Sequence, residues 1–277
     1  MKNIYRIVFT LAVFTLLFTP EKNVYAKKKG ESITMAGSTT VLPIAQKTAE
    51  VFMNKNPDVN ISVRGGGSSV GVAAIIDGTV DIGNSSRPIQ TKELALGRSK
   101  GRILKEIPIA RDGIAVIVHK DNPVENLSLE QLRDIFTGKI ANWKELGGKN
   151  MPIVVVSRDT SSGTFETFKE KVLKNAKVKD QAIMTAANQA VLTTVMDTPG
   201  AIGYVGIGFV SDDIKVLSIN GIKASKDSVI KGTYPVSRKL YMYVNGEPQG
   251  LVKRYIDFVL SEEGQSIVEE IGYVRVK

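Results

Sequence analysis

The stretch "RDTSSGTFETF", Arg158 to Phe168, sets Thr160, Ser161, Ser162, Gly163 and Thr164 between an arginine and the start of a helical pattern. An apolar run, "PIVVV" at 152–156, leads into it, so the segment reads as strand, turn and helix. Two further turns share the form: "AGSTTVLPIAQ" (Ala36 to Gln46) and "GGGSSVGVAAI" (Gly65 to Ile75). A fourth, "DIGNSSRPIQ" (Asp81 to Gln90), adds Ser85, Ser86 and Arg87 after another strand. The first N–H groups of a helix have no acceptor within it, and the macrodipole adds partial positive charge there. A strand-to-helix turn therefore holds an anion without a lysine, and Ser and Thr add directional donors. Each turn alone is served by one capping hydroxyl, from Ser38, Ser68, and Ser162 or Thr164. The excess of hydroxyls over caps points to one shared anionic partner.

Outward from these turns, short β-branched runs alternate with helical patterns, as an α/β architecture requires. Strands are expected at "SITMAG", "VNISVRG", "VDIGNS", "GIAVIVHK", "PIVVVSR", "AIGYVG" and "RKLYMYVN". Helices are expected at "LPIAQKTAEVFMNKN", with Leu42, Ala45, Ala49, Phe52 and Met53 at helical spacing, and at "SLEQLRDIFTG" and "ETFKEKVLKN". The tail "QGLVKRYIDFVLSEEGQSIVEEIGYV" reads as two helices divided at "SEEG". No internal repeat or low-complexity segment is present.

Residues 1–26 have the form of a secretory signal: a basic start "MKNIYR", an apolar run "IVFTLAVFTLLFT" of 13 residues, Pro20, and "VYA" as a small-residue cleavage site. The run is shorter than the roughly 20 residues that a spanning helix needs, which favours cleavage over a retained anchor. With no cysteine in the chain, a lipid-modified cysteine, a disulfide framework and a thiolate metal site are all excluded. The rest of the chain is long enough for two lobes, each with its own core. Residues 1–26 contain three of the 37 basic and one of the 28 acidic side chains, so the remainder carries +7. Its lysines are dispersed rather than gathered with aromatics, which argues against nucleic acid, while a positive field helps to draw in a small anion.

The segments "AGSTTVLP", "RGGGSSVGV", "DIGNSSRPI", "SRDTSSGTF" and "TPGAIGYVG" stand in the order and spacing of a known family. On these the chain resembles the phosphate-binding proteins of bacterial phosphate ABC importers, over essentially everything after the leader. The resemblance implies a two-lobed periplasmic-binding-protein fold. Each lobe would be a mixed, mostly parallel sheet flanked by helices, and two crossing hinge strands near "ARDGIAV" and "YPVSRKL" would join them. It places one lobe at 31–113 plus 236–277 and the other at 114–235. Carried over by position, Ser38, Thr39, Thr40 and Ser68 are the first lobe's phosphate contacts, and Arg158, Ser162, Gly163 and Thr164 the second lobe's. Ser86 falls where some members place an aspartate that accepts the phosphate's proton. The implied protein is a non-enzymatic, monomeric receptor, periplasmic or extracellular, that needs no cofactor and delivers phosphate to a membrane ABC permease.

The chemistry of the residues agrees. Burying a tetrahedral oxyanion is costly unless hydrogen bonds replace its hydration. Arg158 is the candidate fixed charge, its planar fork suited to two oxygens; the alternative is a surface ion pair with Asp159. Arg87 is expected either to contact the ligand or to pair with an acid, and Asp81 to hydrogen-bond its turn. Three rivals stand beside this reading: a receptor for sulfate or molybdate, an adhesion or scavenging protein that keeps the site, and a serine hydrolase. The last rests on "GSSVG" (Gly67 to Gly71), which would make Ser69 a nucleophile, with His119 as its base. His119 precedes the late position that such enzymes use. There is no P-loop, and "GAIGYVGIG" has glycines in the wrong order for a dinucleotide fingerprint.

Overall fold

The computed structural model describes residues 30–276, so the expected leader lies outside the described residues. In chain order, β1 (Glu31–Gly37) buries Ile33 and Met35 completely. Helix α1 (Leu42–Lys55) turns Ile44, Ala45, Ala49 and Phe52 inward, and β2 (Val59–Arg64) returns parallel to β1. Helix α2 (Ser68–Asp77) ends on Gly78 in the left-handed region and leads to β3 (Ile82–Ser85), parallel to β1 on its other side. Helix α3 (Thr91–Ser99) opens with a reciprocal cap between Gln90 and Glu93. There follow β4 (Leu104–His119), β5 (Asn126–Leu127), α4 (Leu129–Thr137), β6 (Val154–Arg158), α5 (Gly163–Lys171), β7 (Ile183–Thr185) and α6 (Asn188–Asp197). The chain continues through β8 (Ala201–Gly206), β9 (Ile214–Val216), β10 (Ser218–Ile219), β11 (Ile222–Lys223), α7 (Lys226–Ile230), β12 (Ser237–Asn245), α8 (Gly250–Leu260) and α9 (Glu262–Glu270).

The main sheet runs β2-β1-β3-β12-β4-β8-β6-β7, with β9 also on β4. It is one ladder with two halves. From Leu104 to Gly113, β4 pairs antiparallel with β12 beside the β2-β1-β3 group; from Ile114 to Val118 it pairs antiparallel with β8, beside β6 and β7. The fold is thus mixed α/β and two-lobed, with β4 crossing from one half to the other. A smaller sheet, β11-β10-β5, lies apart.

All seven expected strands are present, but "GIAVIVHK" is only the second half of a 16-residue strand. Its first half contains Lys105, Glu106, Pro108, Arg111 and Asp112, which mask the pattern, and the ladder slips by one residue between Leu240 and Tyr241, opposite Ile109 and next to Pro108. Helix α5 also differs from expectation, starting at Gly163 rather than Glu166 because Ser162 caps it, and stopping at Lys171. Beyond it, Lys174 and Asn175 adopt left-handed backbone. The tail helices divide at Ser261 alone, whose Oγ accepts from Gly264 N at 3.2 Å; the rest of "SEEG" already belongs to α9.

Packing fixes the strand ends that carry the turns. Phe168 stacks on Tyr204 at 4.0 Å with Phe136 against both, and such aromatic pairs contribute about 0.5–1.5 kcal/mol beyond their buried area. Phe52 packs on Tyr255 and Phe258, seating α8 against α1. Among the described residues, no helix is long and apolar enough to cross a membrane.

Candidate functional site

The C-terminal ends of β1, β2, β3 and β6 bring the hydroxyl turns to one place between the halves. Ser38, Thr40, Ser68, Ser86, Arg158, Ser162 and Thr164 are each at most 3 % exposed; Thr39 is half-buried and Gly163 buried. Contacts cross the cleft directly. Thr40 Oγ1 lies 3.0 Å from Thr164 Oγ1, and Arg158 Nη2 donates to Thr39 Oγ1 at 3.1 Å. A Cβ on Gly163 would stand 2.4 Å from Ser68 Oγ and 2.9 Å from Ser86 Oγ, an approach that only glycine permits. All nine residues expected at a site therefore meet.

A hydroxyl has two lone pairs and one hydrogen, so its partners decide which way it works. Ser38 Oγ accepts from Thr40 N at 3.1 Å and Val41 N at 3.3 Å. Thr39 Oγ1 accepts from Arg158 Nη2 and from Asn188 Nδ2 at 3.2 Å. Both oxygens have their lone pairs filled, and what remains to each is donation. Ser162 Oγ accepts from Phe165 N at 3.2 Å, so capping and donation are compatible in one residue. Ser68 does not cap its own helix. It is the first residue of α2, and its Oγ accepts from Ser86 N at 3.0 Å and lies 3.2 Å from Ser86 Oγ, bracing two turns.

Arg158 donates from Nε to Thr185 O at 3.3 Å and from Nη2 to Ala186 O at 2.8 Å, while buried Nη1 has no partner among the described residues. Its backbone N–H donates to the Tyr204 hydroxyl at 3.1 Å. Burial pulls its pKa down to about 10, partly offset by Tyr204 and Asp159 and reinforced by Arg238. The surface ion pair with Asp159 is not formed: Asp159 Oδ1 accepts from Ser161 N at 2.9 Å and Ser161 Oγ at 2.6 Å. Of the two roles open to Arg87, pairing is the one adopted, with Glu93 at 2.7 Å and also with Glu166 of α5. Asp81 sits at the opposite end of β3, accepting from Thr34 N at 2.7 Å and Thr34 Oγ1 at 2.9 Å. Ser69 has no histidine beside it. Its Oγ contacts Glu166 and Arg87, each at 3.2 Å, whereas His119 Nδ1 accepts from Asp121 N at 3.2 Å at the end of β4.

The family described as the PBP superfamily domain matches residues 23–263. A curated relative, the phosphate-binding protein PstS of Bacillus subtilis, is 39 % identical over 252 residues, 90 % of this chain and 82 % of its own. The chain is a PstS-like member of the PBP superfamily. The phosphate-binding protein PstS of Pseudomonas aeruginosa is 30 % identical over 275 residues, 90 % of this chain and 85 % of its own. Among solved structures, one titled as a phosphate ABC transporter substrate-binding protein with bound phosphate, from Clostridium perfringens, superposes with a TM-score of 0.83 at 39 % identity, covering 89 % of this chain and all of that one. An ABC-type phosphate transport receptor from Vibrio cholerae gives a TM-score of 0.73 at 31 % identity, covering 87 % and 99 %. The PstS family is one of solute-binding receptors, not enzymes.

Around the hydroxyl turns stand residues that sequence reading passes over. Asn188, the first residue of α6, donates to both Thr39 and Thr40. Arg238 of β12 reaches Thr40 Oγ1 at 3.3 Å while bound to Asp112 of β4, its register partner. Asp112 is fully buried, which raises its pKa while Arg238 pulls it back. Tyr273 OH donates to Thr40 O at 2.9 Å. A signal for the ion pair does exist: "ARDGIAVIV" and "VSRKLYMYV" each set a charge inside an apolar strand, and such a charge needs a partner.

Proposed function

We propose that this protein is a receptor for inorganic phosphate that closes its lobes over the anion and hands it to a membrane ABC permease. The observation that carries this reading is the convergence of hydroxyl donors from both halves on one buried point, beside an arginine atom that has no partner among the described residues. Such a site suits a small tetrahedral oxyanion, whose buried charge is tolerable only when hydrogen bonds replace water. Relatives named for phosphate, one of them titled with phosphate bound, support that choice of anion. Ser38, Thr39, Ser68 and Ser86 act on the anion from the lobe at 31–113 plus 236–277, where Thr40 serves through its bond to Thr164, and Arg158, Ser162, Gly163 and Thr164 act from the lobe at 114–235. The ligand meets both donor sets only when the lobes meet, so its binding energy shifts the population toward the closed form. The receptor works outside the cytoplasm, as a monomer.

No carboxylate is held among the hydroxyls by the geometry above, which keeps sulfate and molybdate as the second reading. Calorimetric titration of residues 27–277 with phosphate, sulfate and molybdate decides. Phosphate is expected to bind tightest; heat with sulfate or molybdate but none with phosphate overturns the choice of anion, and no heat with any of them overturns the receptor.

A further inference from the structure

We infer that Asp112 and Arg238 form a positioning pair that makes Thr164 a hydrogen-bond donor to the bound anion, an inference that rests on the phosphate reading above. Both side chains are nearly or fully buried on facing positions of the two strands that meet where the halves join. Arg238 binds Asp112 Oδ2 through Nε at 2.9 Å and Nη2 at 2.7 Å, and Asp112 Oδ1 accepts from Ile207 N at 3.0 Å. Apolar residues can often replace such a pair without loss of stability, so packing alone gives no reason for a charge here.

The reason lies one bond further on. Thr40 Oγ1 accepts from Arg238 Nη2 at 3.3 Å and from Asn188 Nδ2 at 3.0 Å. Its two lone pairs are then used, and its hydrogen has one place to go: Thr164 Oγ1, 3.0 Å away. Thr164 thus accepts from Thr40 and must turn its own hydrogen elsewhere, at the first turn of α5 where the other donors gather. The chain Asp112–Arg238→Thr40→Thr164 crosses the cleft, so the direction of the last hydroxyl is set only when Thr40 and Thr164 meet. Each donor polarises the next in a site sheltered from water. Because Asp112 cancels its charge, Arg238 contributes direction more than net attraction, and its buried Nη1 has no partner among the described residues.

The test is a cycle of phosphate affinities, by calorimetry, on wild type, Thr164→Val, the joint variant Asp112→Asn/Arg238→Gln, and all three changes together. The joint variant keeps a hydrogen-bonding pair of similar size and leaves no orphan charge. Thr164→Val and the joint variant are each expected to weaken binding about tenfold or more. Together they should lose no more than about threefold beyond the weaker-binding of the two, because both cut one chain. Circular dichroism checks the fold. If the joint variant does not fold, Thr40→Val takes its place, cutting the same chain without touching the ion pair, with the same coupling expected. A folded variant within about twofold of wild type, or losses that multiply, overturns the inference. Failure of wild type to bind phosphate instead overturns the phosphate reading, and the cycle is then run with whichever oxyanion binds.

Discussion

Arg158 brings its charge into a nearly dry site, and the cost shows in a pKa drawn down to about 10, well below the ordinary arginine value. The unfolded chain holds more protons than the folded one between those values, so stability without ligand rises with pH across that window. Phosphate binding needs the charged form and should decline as pH climbs through about 10; calorimetry at pH 7, 9 and 10.5 follows it. Arg158→Gln should cost about 2–5 kcal/mol of phosphate binding, while unfolding of the ligand-free protein shifts by about 1 kcal/mol or less, since a penalised charge goes with the lost bonds. Near-native affinity in that variant would leave the arginine a structural role. Ser86 and Ser68 differ from Ser38 and Thr39 in that their partners do not dictate where their hydrogens point. Phosphate carries a hydrogen and sulfate does not, so on the phosphate reading this pair is free to accept the anion's proton. In competition titrations Ser86→Asp should lose sulfate far more than phosphate, because a carboxylate accepts the proton and repels a bare oxygen; equal losses would move proton recognition elsewhere. Arg158 and the hydroxyls were legible in sequence because they crowd the ends of apolar strands. Asn188 was not, since it stands in an ordinary helix pattern; Arg238 shows in sequence only as a charge that needs a partner, and tertiary register decides that the partner is Asp112.

At the scale of elements, α5 shows how one turn serves both fold and site. Ser162 caps the helix, Gly163 opens it, and Gly163 stands against Ser68 and Ser86 of the other half. Alanine is the better helix former by about 1 kcal/mol, so Gly163→Ala should leave the ligand-free protein as stable or slightly more so. The added methyl meets Ser68 Oγ at 2.4 Å and holds the halves apart, so phosphate affinity should fall at least about tenfold. Thermal unfolding and calorimetry on one sample separate the two effects, and a parallel fall in both would mean that the glycine serves only the helix. The strand-to-helix order was legible because apolar runs of period two give way to period 3.6 beside a turn. The first half of β4 was not: it lies at the join between halves, where Arg111 and Asp112 have strand partners that a single sequence does not display.

Across the whole molecule, Glu166 of α5 fastens the halves at the rim of the cleft. Gln90 Nε2 donates to its Oε2 at 2.6 Å, Ser69 Oγ to its Oε1 at 3.2 Å, and Arg87 pairs with it. Nearby, Ser69 N donates to Ser161 O at 3.0 Å, and Ser161 Oγ lies 3.1 Å from Gly66 O. None of these contacts needs the anion, so they lower the cost of closing before phosphate contributes anything. Opening must break them, which makes them a brake on release more than a source of recognition. Glu166→Gln tests this cleanly, because Arg87 keeps Glu93 and no buried charge is orphaned. Losing one charged contact of about 1.5–3 kcal/mol should raise the phosphate off-rate about ten- to a hundredfold and leave the on-rate within about threefold. Stopped-flow displacement measures the first and rapid mixing the second. Small-angle scattering should show the ligand-free variant more open than ligand-free wild type, with the two alike at saturating phosphate. A variant that binds more slowly but releases at the wild-type rate would place Glu166 in the encounter with phosphate rather than in the closed state.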